Sequence, residues 1–321
     1  MKSRTMLAIA AFGATLLCAA TASAAQFVGP GPDGRETLSQ TYRESRMDDE
    51  AYQRSVKATK VFDNLWYVGP GYVSVWLLET SAGLILIDSA QEPYVDHVLE
   101  NIRLSGHDPK DIKYIILAHG HLDHFGGAAR IQEISGARVV LTAEDWPAVE
   151  AAGTRPGRNG APPPRVPKCD MVIKDGDTIT LGGQTVKFYF TPGHTDGALS
   201  FEYTVYDNGV PHKAFFSGGS GGRGGLKGAE QALGSAIRLN RDLVGVDVFT
   251  PAHAWTGGNQ YPNGSIFERL ERLKARKAGE PHPFVDKASF DTWLKAINTN
   301  AVELVAEEKA KLAAQPAPAR Q

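Results

Sequence analysis

Cysteine is scarce in this chain, with only Cys18 and Cys169 among 321 residues. Internal disulfides, the usual support of small secreted domains, are therefore not expected, and a chain of this length can bury a core without them. Cys169 has no histidine beside it in the sequence. We interpret it as a structural residue, since most free cysteines behave as small buried hydrophobic groups.

An excess of charge of either sign is also lacking, because the formal net charge is -2 at pH 7. A nucleic-acid-binding protein would present a basic face, so we expect no nucleic-acid partner. Hydrophobic residues make up 42% of the chain and charged residues 22%, which is typical of globular proteins and permits one large domain or two small ones.

A long uncharged apolar run stands at the start of the chain, from Leu7 to Ala20. Lys2 and Arg4 precede it, and the small residues 22–24 follow it, which is the layout of a secretory signal peptide. The run is too short to cross a bilayer comfortably. We therefore predict a signal peptide over residues 1–24, a periplasmic or secreted protein, and no membrane association after cleavage.

The rest of the chain divides by pattern into an extension, a domain and a tail. Residues 25–57 are polar and weakly periodic and form an N-terminal extension, residues 58–312 form one domain, and the Ala/Pro-rich residues 313–321 form a flexible tail. In the domain, runs typical of strands are followed by helical periodicities, twice. This order predicts an α/β (α+β) protein, a four-layer αββα sandwich with helices outside two paired sheets.

The densest chemical signal is the segment 118–127, which reads AHGHLDHFGG. It directly follows the apolar strand predicted over residues 112–117, and strand ends are where α/β sites usually lie. His119 and His121 project to one side of extended backbone, whereas Asp123 and His124 can face a neighbouring position. Imidazole and carboxylate ligands suit Zn²⁺, so the spacing predicts a metal site.

Two further histidines follow predicted strands in the same way. His194 stands in TPGHT after the strand 186–190, and His253 stands in TPAH after the strand 246–249. This shared context predicts that both converge on the site formed by the first motif. Six candidate ligands can then serve two metal ions.

The motifs HGHLDHFGG, TPGHT and TPAH, in this order, resemble those of the metallo-β-lactamase superfamily, and most closely subclass B3. The resemblance covers about residues 60–310. The hairpin ending in Asp88 resembles the strand after which the family places an aspartate that orients the ligand loop. Cys169 stands too early in the chain to supply the cysteine ligand of subclass B1.

The resemblance implies a hydrolase with two zinc ions per chain. It assigns His119, His121 and His194 to the first ion and Asp123, His124 and His253 to the second. A zinc-bound hydroxide, oriented by Asp123, would open a β-lactam ring, as in antibiotic resistance. Ser217 and Ser220 would bind the carboxylate of this small-molecule substrate.

Three alternatives to a β-lactamase stay open from the sequence. His253-Ala254 and Thr195-Asp196-Gly197 depart from the subclass pattern of His-Pro and Thr-Pro-Gly, so another hydrolase of the same fold, such as a lactonase, is a second candidate. An iron-dependent oxidoreductase is less favoured, because the segment 217–220 lacks the bridging carboxylate that glyoxalase-like and diiron relatives place after a strand such as 214–216. A non-catalytic zinc-binding protein is the third, and the sequence leaves the oligomeric state open.

Overall fold

The computed structural model describes residues 49–157, 160–219, 221–254 and 263–314. In these residues, seven strands form one sheet in chain order, with β1 to β4 antiparallel and β4 to β7 parallel. The strands of this first sheet are β1 (Thr59–Phe62), β2 (Leu65–Tyr67), β3 (Trp76–Thr80), β4 (Gly83–Ile87), β5 (Ile112–Ile116), β6 (Arg138–Thr142) and β7 (Met171–Ile173).

A second, five-stranded sheet has the order β12-β11-β10-β9-β8 and is antiparallel except for the parallel pair β11 and β12. Its strands are β8 (Thr178–Leu181), β9 (Gln184–Phe190), β10 (Leu199–Asp207), β11 (Val210–Ser217) and β12 (Val248–Pro251). The helices are α1 (Glu50–Ser55), α2 (Val95–Leu104), α3 (Leu122–Phe125), α4 (Ala128–Ser135), α5 (Trp146–Ala152), α6 (Leu226–Asp242), α7 (Ile266–Ala275) and α8 (Lys287–Ala313).

Strands such as β4 and β6 are buried on both faces, which explains why they read as nearly continuous apolar runs, whereas β8 and β9 alternate between buried and exposed residues. In β4, Ile85 and Ile87 point into the core between the sheets, whereas Leu84 and Leu86 pack beneath α2 and its neighbours. In β11, Phe216 faces the other sheet and Phe215 packs against α6 and α8. The result is a helix–sheet–sheet–helix arrangement, so the predicted αββα sandwich is confirmed.

The strands predicted over residues 112–117, 186–190 and 246–249 correspond to β5, β9 and β12, within two residues at each end. β3 begins only at Trp76, because the backbone of residues 73 and 74 bonds to the segment around His253. α1 lies in the segment predicted as an extension, where Asp49 caps it through a hydrogen bond from the Tyr52 amide. Cys169 is exposed, so the expectation of a buried cysteine is wrong.

The predicted signal peptide, residues 1–24, and residues 315–321 of the predicted tail lie outside the described residues. The helices α7 and α8 are the last two elements before the tail. Within the described part of the chain, no helix is long and apolar enough to cross a membrane.

Candidate metal centre

The HGHLDH motif lies at the carboxyl end of β5 and runs into the short helix α3. A neighbouring segment after β4 holds it in place: the Ser89 amide and hydroxyl both donate to the carbonyl oxygen of His124, at 2.9 and 2.6 Å. The Gly127 amide donates to the Ala90 carbonyl at 2.9 Å. A Cβ at Gly127 would lie 2.3 Å from the Ser89 carbonyl oxygen, so only glycine fits this close approach.

The first set of donor atoms comes from three histidines that the sequence grouped. His119 Nε2 lies 2.9 Å from His121 Nδ1, and His194 Nε2 lies 3.2 Å from the same nitrogen. His119 Nδ1 donates to the Gly218 carbonyl oxygen at 2.7 Å, which leaves its Nε2 lone pair directed at the other two rings. These three residues could hold one metal ion.

The second set joins the predicted trio of Asp123, His124 and His253. His124 Nε2 lies 3.2 Å from His253 Nε2, and Asp123 Oδ2 lies 3.5 Å from each of these nitrogens. Asp88 orients the set from behind: its Oδ2 accepts a 2.7 Å hydrogen bond from His124 Nδ1, and its Oδ1 accepts one of 2.7 Å from the Ala118 amide. Asp88 thus occupies the place that the sequence predicted for it.

The two donor sets are neighbours, because the rings of His119 and His124 have their centroids only 4.0 Å apart. His253 is packed against the ring of Tyr72, with centroids 4.6 Å apart, and its backbone pairs with Val73. The arrangement brings all six predicted ligands to one place at the carboxyl ends of β5, β9 and β12.

The ionisation of His119, His194 and Asp123 suits a divalent cation. Burial, together with the neighbouring histidines, lowers the pKa of His119 well below 6.5, and burial and Arg223 do the same for His194. Burial opposes ionisation of Asp123, but His124 and His253 outweigh it and lower its pKa. Neutral imidazoles and an ionised carboxylate are the forms that bind metal. About 3.3 Å separates ligand nitrogens around a tetrahedral zinc ion, which the observed spacings approach.

The two serines predicted to bind substrate have different outcomes. Ser217 is the last residue of β11 and is only 4% exposed, and its carbonyl oxygen accepts from the Ala252 amide at 3.0 Å. Ser220 lies outside the described residues. Between them, Gly218 and Gly219 allow the chain to pass close to the histidines, since a Cβ at Gly219 would lie 2.8 Å from the Cβ of His194.

Two charged residues near the histidines were missed in the sequence. Asp145 is 3% exposed and accepts hydrogen bonds from both histidine-bearing loops, at Gly120 and Gly197. It follows the end of β6, so the rule that strand ends carry the site could have found it. Arg223 lies in the glycine-rich segment after β11 and lowers the pKa values of His121 and His194 in addition to burial.

Asp196, which departs from the subclass pattern, is engaged away from the histidines. Its carboxylate accepts hydrogen bonds from Lys227 at 2.8 Å and from Gln231 at 2.9 Å, both on α6. These hydrogen bonds lower its pKa. Asp196 therefore ties the His194 loop to α6, and Lys227 balances its charge.

Curated proteins similar to this chain include hydroxyacylglutathione hydrolases. That of Prochlorococcus marinus is 26% identical over 252 residues, which span 73% of this chain and 91% of the relative. That of Gloeobacter violaceus is 26% identical over 216 residues, spanning 64% and 76%.

Solved structures similar to this one include subclass B3 metallo-beta-lactamases. BJP-1 of Bradyrhizobium japonicum superposes with a TM-score of 0.69 at 27% identity, over 83% of this chain and 99% of the neighbour. A metallo-beta-lactamase of Cronobacter sakazakii gives a TM-score of 0.66 at 29% identity, over 83% and 94%. Residues 68–207 match the family model of the metallo-beta-lactamase superfamily, so the chain contains a domain of this superfamily.

Proposed function

We propose that this chain is a zinc-dependent hydrolase that cleaves an acyl bond with the help of two metal ions. His119, His121 and His194 would hold the first ion, and the trio of Asp123, His124 and His253 the second. The observation that carries the proposal is the adjacency of two three-residue donor sets at one strand-end site. An enzyme of the metallo-beta-lactamase fold typically binds zinc at such a place.

Two zinc ions bound there would polarise a carbonyl oxygen and make water a stronger nucleophile at neutral pH. The protein supplies orientation and proton transfer. Asp88 and the Gly218 carbonyl fix the proton positions of His124 and His119, so the metal-facing nitrogens are acceptors. Asp123, an ionised member of the second set, can accept a proton from the attacking water and return it to the leaving group.

For the substrate, we favour an ester, thioester or lactone over a β-lactam. The curated relatives are named hydroxyacylglutathione hydrolases, and one of them is matched over 91% of its length. This favours the alternative of a non-lactam hydrolase, with a hydroxyacyl thioester as its first candidate. The positive charge of Arg223 beside the histidines suits a substrate that carries a carboxylate.

A β-lactam is the second candidate, because one specific feature favours it. The segment 217–219 carries no carboxylate, whereas glyoxalase-like members of the superfamily place a bridging aspartate after the corresponding strand. The six donors present are those of subclass B3, and structural neighbours of that subclass are matched over nearly their whole length. A periplasmic or secreted location would suit this substrate and stays a prediction.

A direct comparison of substrates tests the proposal. The purified, zinc-loaded protein would be assayed with lactoylglutathione, a homoserine lactone and a chromogenic cephalosporin, each with and without a chelator. We expect chelator-sensitive hydrolysis, with a kcat/KM for the thioester or the lactone at least tenfold above that for the cephalosporin. The reverse ratio would select the β-lactam, and turnover that survives complete metal removal would contradict the metal-dependent mechanism altogether.

Replacement of Arg223 tests the expected recognition of a substrate carboxylate. Arg223→Ala is expected to raise KM by about tenfold or more with a smaller change in kcat, since a hydrogen bond to a charged group contributes roughly 1.5–3 kcal/mol. Arg241→Ala is the matched control, because Arg241 is an exposed arginine of α6 that pairs with Asp242. Equal KM values for Arg223→Ala and the control would show that Arg223 does not bind the substrate.

A further inference from the structure

Asp145 joins the two loops that carry the first histidine set. Its Oδ2 accepts hydrogen bonds from the Gly120 amide at 2.7 Å and from the Thr195 hydroxyl at 2.8 Å, and its Oδ1 accepts one from the Gly197 amide at 2.8 Å. Gly120 lies between His119 and His121, and Thr195 follows His194. One buried carboxylate therefore bridges both backbone segments from which all three histidines project.

The surroundings of Asp145 show that this contact is built into the fold. Asp145 directly precedes α5, yet its side chain makes no capping hydrogen bond to that helix. Thr142, at the end of β6, supports the same junction by donating to the Gly197 carbonyl oxygen at 2.8 Å. A Cβ at Gly197 would lie 2.3 Å from the Thr142 hydroxyl oxygen, so the loop can come this close to Thr142 only with glycine at position 197.

The second donor set makes no corresponding contact with Asp145 among the hydrogen bonds of the described residues. Asp88 serves that set instead, through His124 Nδ1 and the Ala118 amide. Each set is thus backed by its own buried carboxylate, and the two carboxylates belong to different strand ends, after β4 and after β6. This division predicts that replacing Asp145 changes the binding of the first metal ion and that replacing Asp88 changes the binding of the second.

We propose that Asp145 is a positioning residue that sets the affinity of the first metal ion by fixing the distance between the His119–His121 segment and His194. It acts through the two loops and touches neither metal nor substrate. The inference rests on the proposed two-metal function. Carboxylates that orient ligand segments typically change metal affinity by about 10–100-fold when they are replaced.

Metal titration of the metal-free protein tests this inference without reference to activity. Zn²⁺ would be titrated against a competing chromophoric chelator for the wild type, Asp145→Asn and Thr195→Val. His194→Ala and His253→Ala would identify the titration steps that belong to the first and second sets. Asp170→Asn is the matched control, because Asp170 also accepts from a backbone amide, that of Val139, but at the other end of β6.

We expect Asp145→Asn to weaken zinc binding at the first set, which is the titration step lost in His194→Ala, by about 10–100-fold. Zinc binding at the second set should weaken by less than about threefold. Thr195→Val, which removes one donor and keeps the carboxylate, should weaken zinc binding at the first set by a smaller factor and is informative if Asp145→Asn does not fold. Thermal unfolding of the metal-free proteins should place Asp145→Asn close to Asp170→Asn.

Each other result overturns the inference in a distinguishable way. Unchanged affinity of both steps, or equal weakening of both steps with a large loss of metal-free stability, would show that Asp145 is only a structural residue. A wild-type protein that binds fewer than two zinc ions would overturn the two-metal function, and with it this inference. If the wild type binds two zinc ions tightly and Asp145→Asn binds them with the same affinities, the inference about Asp145 is overturned but the two-metal function is not.

Discussion

Asp123→Asn is expected to lower kcat by about 10²–10⁴-fold, the range over which a positioned acid or base contributes to catalysis. The Asp123 carboxylate lies 3.5 Å from the metal-facing nitrogens of both His124 and His253. Those two histidines outweigh burial and lower its pKa, so the carboxylate is ionised at neutral pH. Asparagine keeps the shape and one donor oxygen but can neither carry the negative charge nor accept a proton.

The measurement is kcat and KM on the best substrate, together with zinc content by mass spectrometry. Asp196→Asn is the control, because Asp196 also follows a ligand histidine closely but pairs with Lys227 on α6. We expect this control to stay within about threefold of the wild type, as is usual for exposed ion pairs. A wild-type kcat in a fully zinc-loaded Asp123→Asn protein would remove Asp123 from the proton-transfer step.

The sequence predicted that six candidate ligands would come together, and the reason is local. His119, His121, Asp123 and His124 lie within six residues directly after a buried strand, and His194 and His253 repeat the pattern of strand, turn and histidine. In a sandwich with parallel strands next to the site, such strand ends meet at one edge. The spacing alone therefore predicted which side chains would come together.

The supporting contacts could not be read in the same way, because they join segments far apart in the chain. Asp145 reaches Gly197 over 52 positions, and the Gly218 carbonyl reaches His119 over 99 positions. Asp145 does follow a strand end, as the ligands do, but the sequence does not show which distant loop either residue contacts. Ser217, which the resemblance assigned to substrate binding, lies at the end of β11 next to β12 and is only 4% exposed, and the sequence did not predict this burial.

Substrate choice was the other limit of the sequence. Motif spacing fixes a metal site, whereas the substrate is selected by the loops around it, and such loops follow no periodic pattern. The hydroxyacylglutathione hydrolase relatives and the subclass B3 neighbours are similar to this chain over a shared core of the fold. Their different names show that this core leaves the acyl substrate undetermined.

Asp88→Ala is expected to destabilise the metal-free protein by about 3–5 kcal/mol, as is typical when one partner of a buried ion pair is removed. The pair of Asp88 and His124 is fully buried, and Asp88 also accepts from the Ala118 amide. Burial lowers the pKa of His124, but Asp123 and Asp88 outweigh it and raise this pKa, so removing Asp88 takes away a hydrogen-bond acceptor and part of the stabilisation of the protonated ring. Alanine is also strained here, because Asp88 has a φ of 60°.

The free energy of unfolding would be measured by urea denaturation of the metal-free proteins, with Asp247→Ala as the control. Asp247 makes the same two kinds of contact, to His212 Nδ1 at 2.7 Å and to the Lys213 amide at 3.1 Å, but its side chain is 25% exposed. We expect the control to lose about 1 kcal/mol or less. Equal losses in the two variants would mean that burial does not strengthen the Asp88 pair.

Asp88→Asn separates the stability of this pair from its effect on the metal. Asparagine tolerates the left-handed backbone and can still accept from the Ala118 amide, so most of the stability should remain. Its amide group would donate to His124 Nδ1, however, and this forces the histidine proton onto Nε2, the nitrogen that faces His253. A stable Asp88→Asn protein should therefore lose the zinc step that belongs to the second set, whereas unchanged binding of both ions would show that Asp88 does not fix the proton position of His124.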